Sequence, residues 1–156
     1  MTDASLLLSF RPPGPADVET IARFQEAMAR ETEGITLDAE TVRRGVAAVL
    51  ADPSLGRYWL AEAEGELVAS LLLTLEWSDW RNRRVWWIQS VWVEPAWRGR
   101  GVYRALYSHV QQEALADPGI AGIRLYVDRR NARAQAVYRA LGMDGEHYTV
   151  FEWMKE

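Results

Sequence analysis

The sequence of 156 residues contains no cysteine, which excludes disulfide bonds, thiolate nucleophiles and cysteine-based metal sites. It has no apolar run near the roughly 18 residues that a membrane-spanning helix requires. Its first five residues lack the positive charge that opens a secretory signal. We therefore expect a cytoplasmic protein without a membrane partner.

Lysine is almost absent as well: Lys155 is the only one, and arginine supplies the other 17 of the 18 basic residues. The net charge of −4 argues against a nucleic-acid partner, which usually requires a basic face. The two histidines, His109 and His147, lack metal-ligand spacing, so no metal site is expected. Hydrophobic residues make up 49% of the chain, enough for the core of a single domain over residues 1–156.

Alternating and helical apolar patterns predict strands and helices in the order β-α-α-β-β-β-α-β-α-β. The predicted strands are 6–11, 58–63, 67–75, 85–93, 123–127 and 147–154. Asp38 is expected to cap the second helix, and Gly142 to close the last one, over residues 131–141. Hairpins join the early strands and helical crossovers the later ones, so the fold class is α/β, of the α+β type, with a mixed central sheet.

Two glycines and two arginines form the turn between the strand that ends at Val93 and the next helix: Arg98, Gly99, Arg100 and Gly101. Glycine lets the backbone approach an anion, a helix N-terminus offers unpaired N–H groups, and arginine matches phosphate oxygens. These features predict a pyrophosphate site. The alternative is a tight turn with solvated arginines. The ATP/GTP loop motif and the dinucleotide fingerprint are both absent.

Asn131 and Tyr138 are spaced to share one face of the last predicted helix. Ala134 keeps that face thin, so a narrow ligand fits along it. A tyrosine beside a thioester can give its proton to the departing thiolate, because its ordinary pKa of about 10 is close to that of an alkyl thiol. The alternative is that Asn131 caps the helix and Tyr138 is a half-buried core residue.

These two segments together resemble the GNAT superfamily of N-acetyltransferases. The family's cofactor motif is Arg/Gln-x-x-Gly-x-Gly/Ala, which residues 98–103 match except at Tyr103. Its later pattern of Asn, Tyr, Gly and a large apolar residue corresponds here to Asn131, Tyr138, Gly142 and Met143. The resemblance implies a sheet of about six to seven strands, splayed between those that end at Val93 and Val127, with helices on both faces.

The resemblance also implies direct transfer of an acetyl group from acetyl-CoA to a primary amine of a small molecule, with Tyr138 as the general acid. A homodimer is a further expectation from the family. The implied cofactor-binding residues are Val91, Trp92, Val93, Arg98, Gly99, Arg100, Gly101, Val102, Tyr103, Asn131, Ala134 and Tyr138. Two rival functions stay open: a non-catalytic acyl-CoA-binding or sensory module, and a protein N-acetyltransferase.

The acceptor side is less defined by the sequence. Glu76 and Glu31 are the candidate catalytic carboxylates. Glu94 and Glu33 stay open as the base, as do a water chain and a surface role for any of these carboxylates. Glu31 is expected in a turn after the first helix, a segment that lines the acceptor site in the family. The candidate substrate-binding residues are Glu33, Trp77, Trp80 and Gln89. Aromatic walls beside carboxylates suit a cationic amine. The alternative is that the clustered tryptophans pack both faces of a central strand.

Overall fold

A computed structural model describes residues 6–155 of the chain. The chain forms two compact units, one that ends at Arg124 and one that begins at Leu125. The first unit contains a five-stranded sheet in the order β1-β2-β3-β4-β5. Its strands are β1 (Leu8–Arg11), β2 (Arg57–Ala63), β3 (Glu66–Ser78), β4 (Arg83–Val93) and β5 (Ile120–Arg124). The first three pairings are antiparallel, and β4 pairs with β5 in parallel.

Three helices belong to the first unit: α1 (Val18–Glu33), α2 (Ala39–Ala51) and α3 (Val102–Ala116). The second unit contains α4 (Ala132–Ala140). Asp38 caps α2 as predicted, because its carboxylate accepts a hydrogen bond from the Thr41 N–H at 2.8 Å. None of the helices within residues 6–155 is long and apolar enough to cross a membrane.

Alternation along β2 sends its side chains to both faces of the sheet. Tyr58 and Leu60 join a buried cluster with Ile21 of α1 and Val46 of α2. Trp59, between them in sequence, instead contacts His109 of α3, with their ring centroids 4.3 Å apart. Helices therefore cover both faces of the sheet, as the sequence predicts.

The pairing of β3 with β4 contains a bulge. Ser70 lies opposite Trp92 and Leu72 lies opposite Gln89, so two residues of β4 face the single residue between them on β3. Ser90, in the bulge, has a φ of 52°, which is rare for a residue with a side chain. A bulge interrupts the regular ladder and redirects the strand, and this one lies just before residues 91–93.

Three predictions about the sheet are wrong. The described residues form five strands, not six to seven. The fifth strand begins at Ile120 rather than at residue 123, because parallel pairing with Arg84 to Trp87 sets its register. Residues 147–154 contain no strand. An alternating pattern shows that a segment suits a strand, but only a paired neighbour makes it one.

Candidate functional site

The turn before α3 has the geometry of an anion site. Gly99 and Gly101 have φ angles of 72° and 79°, in the left-handed region that favours glycine. An added Cβ at either position would meet no atom within 4 Å. These two glycines are therefore required by backbone conformation, and the space around the turn is open.

The N-terminus of α3 has no side-chain cap. Its N-cap is Gly101. Side chains cap α2 and α4, while α1 also begins without a side-chain cap. The Ala105 N–H bonds to the Gly101 carbonyl at 3.0 Å, so the N–H groups before it precede the helical ladder. Unpaired N–H groups and the positive end of the helix dipole attract anions. A pyrophosphate group fits this open turn.

The two arginines of the turn make contacts within the protein. Arg98 donates to both carboxylate oxygens of Glu31, at 2.7 and 3.0 Å, and to the Val93 carbonyl at 2.9 Å. The Arg100 guanidinium lies over the Trp97 ring, 4.2 Å from its centroid. The backbone of the turn is thus better placed than the Arg98 side chain to bind phosphate.

Tyr103 stands where the family motif has glycine or alanine. Its hydroxyl is buried, and its ring centroid lies 6.4 Å from that of Tyr107, one turn further along α3. The bulky side chain is therefore packed rather than directed into solvent. The backbone of Val102 and Tyr103 remains in the first turn of α3.

The end of β4 offers backbone groups beside this turn. Pairing of β4 with β5 runs only from Arg84 to Trp87, and within residues 6–124 no strand continues that pairing beside Ile88–Val93. The Trp92 side chain is buried, with its ring centroid 6.4 Å from that of Phe24. The backbone of Val91, Trp92 and Val93 on the β5 side is thus the part of β4 that a ligand in this unit would meet.

Two candidate acceptor residues lie on one face of the sheet. Glu76 opposes Val85, and Gln89 lies four residues further along β4, so both point to the same side. Glu76 accepts a hydrogen bond from Arg124 at 2.5 Å, and the Gln89 amide donates to the Thr74 hydroxyl at 2.6 Å. Sequence analysis missed Thr74 and Arg124. The signal for Thr74 was its two-residue spacing from Glu76.

The candidate tryptophans are not brought to that face. Trp77 follows Glu76 directly in β3, and strand alternation therefore points it to the opposite side. Trp80 lies in the turn between β3 and β4 and is 90% exposed. The structure thus does not form an aromatic wall from Trp77 and Trp80 around Glu76.

Glu31 and Glu33 lie in the last turn of α1, not in the turn after it, so their predicted placement is wrong. The helix continues to Gly34, whose φ of 67° ends it. Arg98 contacts both Glu31 and Val93, so Glu31 lies near the end of β4. Glu76 of β3 instead lies opposite Val85, near the start of β4. Val85 and Val93 are roughly 25 Å apart at about 3.3 Å per residue, so the two carboxylates cannot act on one reacting atom.

The second unit positions Asn131 and Tyr138 on α4. Asn131 is the N-cap, and its side-chain oxygen accepts a hydrogen bond from the Ala134 N–H at 3.0 Å. Tyr138 is half-buried. In the preceding loop, hydrogen bonds from Arg130 lower the pKa of Asp128 to about 2, so this carboxylate is ionised at neutral pH. No group of three or more potential metal ligands occurs within residues 6–155.

The mixed sheet and the open turn before α3 are features that the resemblance to the GNAT family implies, and the comparisons agree. The model of the acetyltransferase (GNAT) family matches residues 18–143. The chain therefore belongs to the GNAT family.

Two curated relatives are each 33% identical to the chain. The thialysine N-epsilon-acetyltransferase of Bos taurus aligns over 82 residues, 52% of this chain and 47% of the relative. The mycothiol acetyltransferase of Beutenbergia cavernae aligns over 112 residues, 72% of this chain and 35% of the relative. The chain thus spans about half the length of these relatives or less.

Solved structures match nearly the whole chain. A structure described as "a possible acetyltransferase" from Clostridium difficile 630 is 37% identical, with a TM-score of 0.89 and coverage of 96% of this chain and 99% of the other. A predicted acetyltransferase with acetyl-CoA from Clostridium acetobutylicum is 19% identical, with a TM-score of 0.73 and coverage of 94% and 96%. The latter supports the fold alone.

Proposed function

We propose that the protein transfers an acetyl group from acetyl-CoA to the primary amine of a small molecule. The observation that carries this proposal is the uncapped N-terminus of α3 behind Gly99 and Gly101. Its open backbone suits the pyrophosphate of coenzyme A. Acetyl-CoA, when bound, supplies the acetyl thioester.

The chain's own groups have distinct proposed roles. Backbone N–H groups of the turn and of α3 hold the pyrophosphate, and the backbone of Val91–Val93 orients the pantetheine arm and polarises the thioester carbonyl. For Asn131 and Ala134 we keep the role that the family resemblance implies, contact with the pantetheine. Tyr138 donates a proton to the departing thiolate. Glu76 and Gln89, on one face of the sheet, are the proposed acceptor side. Gln89 lies nearer to Val91, and Glu76, further back along the sheet, is proposed to bind the cationic end of the amine. A water chain is proposed to take the proton of the attacking nitrogen.

Both curated relatives support a small acceptor, since their names specify thialysine and mycothiol. The strip of Glu76, Gln89 and Thr74 supports the same class, because it combines a carboxylate with neutral hydrogen-bonding groups. A cationic amine pairs with such a carboxylate. The proposal extends to amines as a class and not to either named compound.

The rival function as a non-catalytic acyl-CoA-binding module is favoured by one observation. Both candidate bases are ion-paired in the structure, Glu76 with Arg124 and Glu31 with Arg98. In each pair the carboxylate is occupied by a protein arginine rather than by an amine. Such a module would bind acetyl-CoA without turning it over.

The test is release of the CoA thiol in the presence of acetyl-CoA and a panel of amines that includes thialysine, lysine, a diamine and a lysine-containing peptide. We expect turnover with at least one small amine and slower turnover with the peptide. Acetyl-CoA binding without thiol release would support the module. Release with the peptide alone would support protein acetylation.

A further inference from the structure

The Arg98 side chain is held by three protein groups at once. Its terminal nitrogens donate to both oxygens of Glu31, and its Nε donates to the Val93 carbonyl. Its guanidinium also lies over the ring of Trp92, 4.7 Å from the centroid. Two-point pairing with a carboxylate is the strongest geometry that arginine adopts with an anion. A phosphate ligand role for this side chain would require giving up these contacts.

These contacts join three elements. Glu31 is in the last turn of α1, Val93 ends β4, and Arg98 begins the turn that precedes α3. A carboxylate near a helix C-terminus is unfavourable by itself, because the helix dipole is negative there. Arg98 offsets this cost. A second ion pair joins α1 to the segment between β4 and α3, because Arg23 donates a hydrogen bond to Glu94 at 3.2 Å.

We infer that Glu31 is a positioning residue for the cofactor, acting through Arg98 to hold residues 98–101 in their anion-binding conformation before the cofactor arrives. Glu31 is then neither the general base nor an acceptor ligand. A turn that is already ordered loses less conformational freedom on binding. The inference rests on the proposed function, since it assumes that this turn binds acetyl-CoA.

The test depends on the sign of a change in affinity. Glu31→Gln removes a negative charge close to the proposed site of a polyanion, so long-range electrostatics alone would tighten acetyl-CoA binding. Positioning predicts the opposite. We expect the Kd for acetyl-CoA, measured by isothermal titration calorimetry, to rise roughly three- to tenfold, in keeping with a well-formed but partly exposed ion pair.

Three further variants test whether Glu31 acts through Arg98. Glu31→Asp keeps the carboxylate and should recover most of the affinity. Arg98→Lys keeps the charge but loses the two-point geometry, and should weaken binding as Glu31→Gln does. Glu31→Gln combined with Arg98→Gln should bind no worse than Arg98→Gln alone. Glu19→Gln, the same charge change on α1 with a side chain 77% exposed, is the control and should leave the Kd unchanged.

Several results would overturn the inference. Tighter binding by Glu31→Gln would mean that Glu31 keeps Arg98 away from the phosphates. An unchanged Kd with a lower kcat and a lost limb of the pH–rate profile would make Glu31 the base. Additive effects in the double variant would separate Glu31 from Arg98. If the wild-type protein does not bind acetyl-CoA, the proposed function fails first and the inference with it.

Discussion

Glu76 and Arg124 form an ion pair that reaches past the intervening strand β4, from β3 to β5. Both side chains are part-exposed, at 39% and 30%. The pair thus joins the antiparallel and parallel parts of the sheet on the face that also carries Gln89. Loss of this pair should therefore change both the stability of the sheet and the binding of the acceptor amine.

Replacing Glu76 should affect activity more than stability. We expect Glu76→Gln to lower kcat/KM for a cationic amine acceptor by roughly 10²-fold, because the amine loses a charged hydrogen-bond partner. The free energy of unfolding should fall by only about 0.5–1 kcal/mol, because part-exposed ion pairs contribute little. Steady-state kinetics and urea unfolding measure the two effects.

Glu66→Gln is the matched control, since it makes the same change at the exposed start of the same strand. It should change neither quantity. Wild-type kcat/KM in Glu76→Gln would remove Glu76 from the acceptor side.

Tyr138→Phe removes the proposed proton donor and little else. We expect kcat to fall by roughly 10²-fold or more, while the Kd for acetyl-CoA stays within about twofold, because only the hydroxyl is lost. Stopped-assay kinetics and calorimetry separate these quantities. Tyr148→Phe, the same change at a side chain that is 78% exposed, is the control. A wild-type rate for Tyr138→Phe would contradict its role as the acid.

Gly101→Asp should abolish acetyl-CoA binding. The substitution places a side chain at a φ of 79°, and it adds a negative charge where the pyrophosphate is proposed to lie. Gly65→Asp is a closely matched control: Gly65 also has a φ of 79°, and its added Cβ would also meet no atom within 4 Å. It lies in the turn between β2 and β3.

Both variants carry the same backbone strain, so their thermal unfolding midpoints should fall by similar amounts. Only Gly101→Asp should lose acetyl-CoA binding in calorimetry. Retained micromolar binding in Gly101→Asp would show that the pyrophosphate lies elsewhere.

Stability should decline at high pH through Tyr58. Burial raises the pKa of Tyr58 to about 12, above its ordinary value of about 10. Between these values the unfolded chain loses the phenolic proton and the folded chain keeps it. The free energy of unfolding therefore falls as pH rises from 10 towards 12, by at most about 1.4 kcal/mol per pH unit.

The measurement is urea unfolding at several pH values from 8 to 12, compared with Tyr58→Phe. The variant should show a shallower alkaline decline, because Phe has no proton to lose. Equal slopes for the two proteins would mean that other groups control alkaline unfolding.

The sequence by itself determined the local features of this protein. Gly99 and Gly101 predicted a turn that an anion can approach, because glycine lacks a Cβ, and Asp38 predicted the start of α2, because a side-chain cap is a local interaction. The mostly apolar run over residues 58–63 predicted the strand β2. The order of these local signals was enough to indicate the family.

Only the tertiary structure decided which distant groups meet. It joined Glu31 to Arg98 and Glu76 to Arg124, and so separated two carboxylates that the sequence had offered for the same role. It put Trp77 on the opposite face from Glu76, and it formed no strand over residues 147–154. Pairings of this kind depend on register and on the packing of helices against the sheet, and a linear pattern does not encode either one locally.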